Sequence, residues 1–150
     1  MAEAIPAESP ASTGETKTVV ISRLYDAFER ADPMAIAGCF TDDVVWHIAG
    51  SGPNAGDHVG PTTILEMLRH TAELSKWSFR VEVDDVLTSE DRAVVLVRAF
   101  GESDGIVLNG EKYAAIYYFR AGLICEGSFF WENPDRVDEF FNLLAARREG

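Results

Sequence analysis

The sequence is poor in cysteine, in positive charge and in long apolar runs, and each shortage excludes something. Its 150 residues include two cysteines, Cys39 and Cys125. Each sits in an apolar stretch, where a thiol packs as a small hydrophobe. Two isolated cysteines build neither a secreted disulfide framework nor a thiolate metal cluster, and they point to a reducing, cytoplasmic setting. Lys and Arg number 13 against 25 Asp and Glu, a formal net charge of −12. Such a surface repels phosphate backbones and anionic bilayers, so neither nucleic acid nor membrane is an expected partner. No apolar run approaches the roughly 20 residues needed to cross a bilayer. The chain has no P-loop, no GxGxxG, no nucleophile elbow and no HExxH. Its histidines His47, His58 and His70 are too far apart in sequence to suggest a zinc site. No metal and no cofactor is expected.

What is present is apolar surface: 47% of the residues are hydrophobic. A single domain of this length buries roughly 70% of its unfolded surface and needs no staple. Residues 1–14 are rich in Ala, Pro, Ser and Glu and lack the basic start and apolar middle of a signal peptide. They read as a disordered leader, with one folded domain over residues 15–150.

Helical spacing appears at Val20, Leu24, Ala27 and Phe28. Asp32-Pro33 breaks that helix and starts a second, short one. Residues 44–48 are β-branched and aromatic, as strands are. A loop carrying Gly50, Gly52, Gly56 and Gly60 follows, and Pro61 opens a third helix through Ile64, Leu65 and Leu68. Phe79, Val81 and Val83 then alternate with charged residues, as in a half-buried strand. Three further strands are expected over residues 92–100, 113–120 and 123–131, before a last helix carrying Val137, Phe140, Phe141 and Leu144. Helices first and long strands afterwards argue for an α+β fold, with the helices on one face of the sheet.

Several stretches carry a family resemblance. One runs Cys39-Phe40-Thr41-Asp42-Asp43-Val44-Val45-Trp46-His47, another Tyr118-Phe119-Arg120-Ala121-Gly122-Leu123-Ile124-Cys125-Glu126, a third Asp138-Glu139-Phe140-Phe141. Their order resembles the SnoaL-like group of the nuclear transport factor 2-like superfamily, over about residues 16–141. The resemblance implies a cone-shaped α+β barrel, in which a curved antiparallel sheet wraps around the N-terminal helices and leaves a deep pocket. It also implies a homodimer formed through the sheet. Relatives include ketosteroid isomerases, polyketide cyclases, dehydratases, epoxide-opening enzymes and proteins that only bind, so the fold fixes function poorly.

By that resemblance the Tyr113, Tyr117 and Phe119 face of its strand looks inward, with Phe129 and Trp131 on the last strand and Trp46 and Ile48 on the first. His58 and Leu68 are expected to border the same pocket. Such walls suit an apolar, planar or polycyclic, polyketide-like ligand. The isomerases' general-base position falls on Ile48, and their oxyanion aspartic acid falls on Tyr117. Their helical oxyanion tyrosine falls on Leu24, beside Tyr25, and the cyclases' acidic position falls on Phe129. Familiar carboxylates are therefore missing, while a phenol at Tyr117 can still donate to an oxyanion.

His47 titrates near neutrality and is a candidate acid–base. Strict alternation turns it away from Trp46, and a bulge near residues 48–50 would turn it inward. Asp85 is in phase with Val81 and Val83, and in an apolar pocket it could act as a base. The expected catalytic set is thus His47, Tyr117 and Asp85. It would serve a cofactor-independent isomerase, cyclase, dehydratase or epoxide-opening enzyme of secondary metabolism. The alternative is a non-catalytic binding protein that uses the same pocket.

Overall fold

The computed structural model describes residues 10–149, so residues 1–9 of the expected leader lie outside the described residues. Helix α1 spans Pro10–Arg30. Val20, Ile21, Leu24 and Ala27 repeat at helical spacing and are buried together, which fixes the inward face of α1. The helix ends at Ala31, whose φ of 52° lies in the left-handed region. Asp32 then caps α2, Pro33–Ala37, by accepting from the Ala35 amide at 3.1 Å, with Pro33 at the first helical position.

The remaining elements are β1 (Phe40–Ile48), β2 (Gly56–Val59), α3 (Pro61–Leu74), β3 (Arg80–Thr88), β4 (Arg92–Ser103), β5 (Ile106–Arg120), β6 (Leu123–Trp131) and α4 (Pro134–Glu149). The strands form one curved, open six-stranded sheet in the order β2-β1-β6-β5-β4-β3. Every pairing is antiparallel except β1 with β6, which is parallel. Register shifts at Val83/Asp85, Ala99/Phe100 and Tyr118/Phe119 interrupt the long strands, and such irregularities increase twist and bend. The α+β architecture expected from the order of elements is the one observed. Strand β2 departs from the expected glycine loop: residues 56–59 pair with β1 despite their glycine, because β1 offers an edge to pair with.

Two apolar clusters fill the concave side. The larger joins α1, α2 and α3 to β1, β4, β5 and β6. The smaller lies under α4, around Leu74, Leu108, Val137, Phe140 and Leu144. Tyr113 packs against both, which places it at the seam where the candidate site opens. No helix among the described residues is long and apolar enough to cross a membrane.

Candidate functional site

Strand phase decides what reaches the site, because neighbouring residues face opposite sides of a sheet. On β1, Trp46 pairs with Gly127 of β6, and on β5 Tyr117 pairs with the same glycine. A Cβ at Gly127 would stand 3.0 Å from the indole Cδ1 and Nε1 of Trp46 and 3.3 Å from Cδ1 of Tyr117. The missing side chain is what lets the indole lie flat on the strand. Around Trp46 the rings of Phe28, Phe40, Tyr117 and Phe129 pack edge-on or tilted, with centroids 4.8 to 6.3 Å away.

Of these rings, Trp46 and Phe129 form one wall of a cavity of about 120 Å³, and the others back them. Of the expected binding residues, Trp46, Ile48, Leu68, Tyr113, Phe129 and Trp131 line it. Helix α4 closes one side with Val137, Asp138 and Phe141, and the β1–β2 loop covers it with Gly52, Pro53, Asn54 and Ala55. The loop is tied down at two points. Oδ2 of Asp138 accepts from the Ser51 amide at 2.9 Å and from its hydroxyl at 3.2 Å. Gly50 passes so close to that carboxylate, at a φ of +106°, that a Cβ would sit 2.6 Å from Asp138 Oδ1. At the other end Asn54 donates to Thr71 Oγ1 at 2.5 Å and accepts from His70 Nδ1 at 2.9 Å, while His58 Nε2 donates to the Asn54 carbonyl at 2.8 Å. His58 and His70 thus secure the loop. His58, expected at the pocket mouth, reaches it only through Asn54.

Behind the aromatic wall lies a group of phenols. The Tyr25 and Tyr117 hydroxyls are 2.8 Å apart and share a hydrogen bond, and the Tyr113 phenol is close enough to interact with Tyr25. Burial pushes all three hydroxyls well above the ordinary phenol range, and their mutual proximity adds to it. All three therefore stay protonated near neutrality. Tyr117 is fully enclosed and does not line the cavity; Tyr113 does. The phenol that faces the cavity is Tyr113, four residues from the one singled out in the sequence, with Tyr117 enclosed behind it.

The other two expected catalytic residues stand on the opposite face. The pairing of β1 with β6 runs unbroken from Val45 to Ile48, and its only shift lies earlier, between Phe40 and Val45. No bulge turns His47 inward. Its Nδ1 lies 2.8 Å from Asp57 Oδ1 and its Nε2 lies 2.7 Å from Glu126 Oε2. Hydrogen bonds to Asp57, then to Glu126, raise its pKa above the usual imidazole value. Both nitrogens face carboxylates, an arrangement that favours the imidazolium form, and the ring stands beside an open depression on the outer face that it shares with Ser128 and Phe130.

Asp85 is displaced by a bulge. The register slips by one residue between Val83 and Asp85, so Asp85 pairs with outward Leu96 while Val86 pairs with buried Val95. The carboxylate is exposed and accepts from the Val86 amide. Phe119 is half-buried under the ammonium of Lys17 and does not line the cavity.

Asp138 was not foreseen. The only sequence signal for it is that Val137 and Phe141 beside it face the core, which puts it on the helix margin next to the site. No cluster of three or more His, Cys, Asp or Glu is placed to hold a metal among the described residues.

Comparison with known proteins agrees with this architecture. Residues 21–127 match the family described as the SnoaL-like domain. An uncharacterized protein of Mycobacterium tuberculosis strain H37Rv is 25% identical over 129 residues, covering 86% of this chain and 98% of that protein. Among solved structures, Bal32a from a soil-derived mobile gene cassette superposes with a TM-score of 0.82 at 25% identity, covering 86% of this chain and 98% of that one. An NTF2-like protein from Burkholderia xenovorans gives 0.73 at 15% identity, covering 86% and 98%. TerC, co-crystallized with polyporic acid, gives 0.75 at 18% identity, covering 85% and 98%. The last two are likenesses of fold. With the family match spanning most of the chain and the same fold in its structural neighbours, the protein belongs to the SnoaL-like domain family, within the NTF2-like fold.

Proposed function

We propose that this protein is a cofactor-independent enzyme that moves protons on an apolar small molecule held in the aromatic cavity. One observation carries the reading: one cavity has a phenol, Tyr113, in its wall, with two further buried hydroxyls behind it, and a carboxylate, Asp138, in its lining. A buried phenol that stays protonated is a hydrogen-bond donor. Aimed at a carbonyl oxygen, it stabilises the negative charge that develops when a neighbouring C–H proton departs. Oδ2 of Asp138 is held by Ser51, while Oδ1 accepts from no protein donor among the described residues. It is the group available to receive the proton and return it to another carbon, as an isomerase or cyclase requires. That TerC, a neighbour in fold, was co-crystallized with polyporic acid supports an organic ligand in this fold.

The test is a turnover screen with variants. Tyr113→Phe and Asp138→Asn should each lower kcat by about 100-fold or more on any substrate found. His47→Gln and Asp85→Asn should leave it unchanged. Full turnover in Tyr113→Phe would sink the proposal. The second reading is a binding protein without chemistry, favoured by the apolar wall between Tyr113 and the mouth. Saturable binding without turnover of any ligand would establish it. Either reading is compatible with a cytoplasmic homodimer joined through the outer sheet face, where Leu96 and Phe130 stand exposed; sedimentation measures that association directly.

A further inference from the structure

The shape and polarity of the cavity say more about its occupant. This inference rests on reading the cavity as the ligand site. A cavity of about 120 Å³ is close to the roughly 150 Å³ that encloses one benzene, and well below the roughly 300 Å³ at which larger ligand sites begin. Trp46, Phe129 and Trp131 are its aromatic walls.

Its polar groups are unevenly distributed. The inner end offers a donor. The Tyr25 and Tyr117 hydroxyls bond each other at 2.8 Å behind the wall. Tyr113 is the only one of the three phenols that lines the cavity, and its proton can be presented there. Trp46 also lines the cavity, but its indole Nε1 is buried against β6 at Gly127 and adds no donor there. The mouth offers an acceptor, Oδ1 of Asp138. No Lys, Arg or His lines the cavity. An anion would therefore be desolvated with no cation to meet it, beside a carboxylate and inside a chain of net charge −12.

We propose that the ligand is an uncharged, single-ring carbonyl compound. Its carbonyl oxygen points inward to Tyr113, and a hydroxyl or other donor at the opposite end of the ring points outward to Asp138.

Four probes test this by titration calorimetry on the full chain. 4-Hydroxyacetophenone has every feature. 4-Ethylphenol lacks the acceptor, 4-hydroxybenzoate adds a negative charge, and 6-hydroxy-2-acetylnaphthalene adds a ring. The first should bind about tenfold tighter than each of the others, the worth of about one hydrogen bond to the carbonyl. In Tyr113→Phe its advantage over 4-ethylphenol should disappear, while 4-ethylphenol itself binds unchanged. Equal or tighter binding of the benzoate or the naphthalene overturns the inference, as does no binding of any probe. The two proposals fail separately. Selective binding without turnover of single-ring carbonyls removes the catalysis and leaves this ligand class standing. Tyr113-dependent turnover of a polycyclic or anionic substrate does the reverse.

Discussion

The two faces of the sheet are built from the same strands and differ by one residue of phase, yet they hold opposite chemistries. The inner face carries Trp46, Tyr113, Tyr117 and Phe129, packed on one another and on Tyr25 and Phe28 of α1. Its polar atoms are few and buried: the Tyr25 and Tyr117 hydroxyls bond each other, and Trp46 Nε1 bonds nothing among the described residues. The outer face carries His47 between Asp57 and Glu126, and Arg98 between Asp84 and Glu82. Those side chains stay wet and neutralise one another in pairs. The residue types usually associated with acid–base work, His and Asp, are on the wet face, where their partners occupy them. On this sheet phase is a better guide to reactivity than residue type.

The contrast breaks most visibly at Trp46. Trp46→Ala should lower the unfolding free energy by about 3–5 kcal/mol in urea titration, because the hole left among Phe28, Phe40 and Phe129 cannot collapse. His47→Ala, one residue along, should lower it by less than about 1 kcal/mol, the range of exposed ion pairs. Equal shifts for the two would mean that the faces are not energetically distinct. Gly127→Ala comes next, at about 1–3 kcal/mol, since its Cβ would meet the indole at 3.0 Å and force Trp46 off the strand. The same change should perturb near-UV dichroism, because the ring is pushed toward the cavity. Tyr117→Phe should cost about 1–2 kcal/mol by taking one partner from the Tyr25 hydroxyl. It should weaken carbonyl-probe binding less than Tyr113→Phe does. The reverse order would place the donor at Tyr117.

Much of this was legible in the sequence, and the exceptions share a cause. Long alternating strands announce themselves, so period two groups Tyr113 with Tyr117 and Phe129 with Trp131, and the family resemblance says that those faces, with Trp46 and Ile48, look inward. Strand β2 could not, because four residues beginning with a glycine take their conformation from β1. The parallel seating of β1 against β6 is likewise a tertiary fact. Asp85 failed for a local reason that was visible: the apolar phase runs Val81, Val83 and then Val86, and that odd step is the bulge. Asp138 meets Ser51 across 87 residues of sequence, and no local pattern encodes such a meeting. Tyr25 was seen beside the expected Leu24; the helix rotates its hydroxyl, not Leu24, toward Tyr117.

The smallest effect tests the wet face by itself. In the folded chain Asp57 and then Glu126 hold the His47 imidazolium and raise its pKa above the unfolded value of about 6.5. A raised folded pKa contributes stability that is complete below the unfolded pKa and is lost as pH climbs through the folded one. Above it, one ring nitrogen presents a lone pair to a carboxylate and that bond is gone. His47 is 37% exposed, so solvent screening keeps the whole contribution below about 1 kcal/mol. Wild type should therefore exceed His47→Gln in unfolding free energy at about pH 6, with the gap closing by about pH 9 and shrinking in high salt. A gap that stays constant with pH would mean that the ring is not charged in the fold. Turnover should show no alkaline limb that His47→Gln removes, since the ring reaches neither Tyr113 nor Asp138. A limb that moves with this variant would show that the outer face is coupled to the cavity through Trp46, its neighbour on the strand.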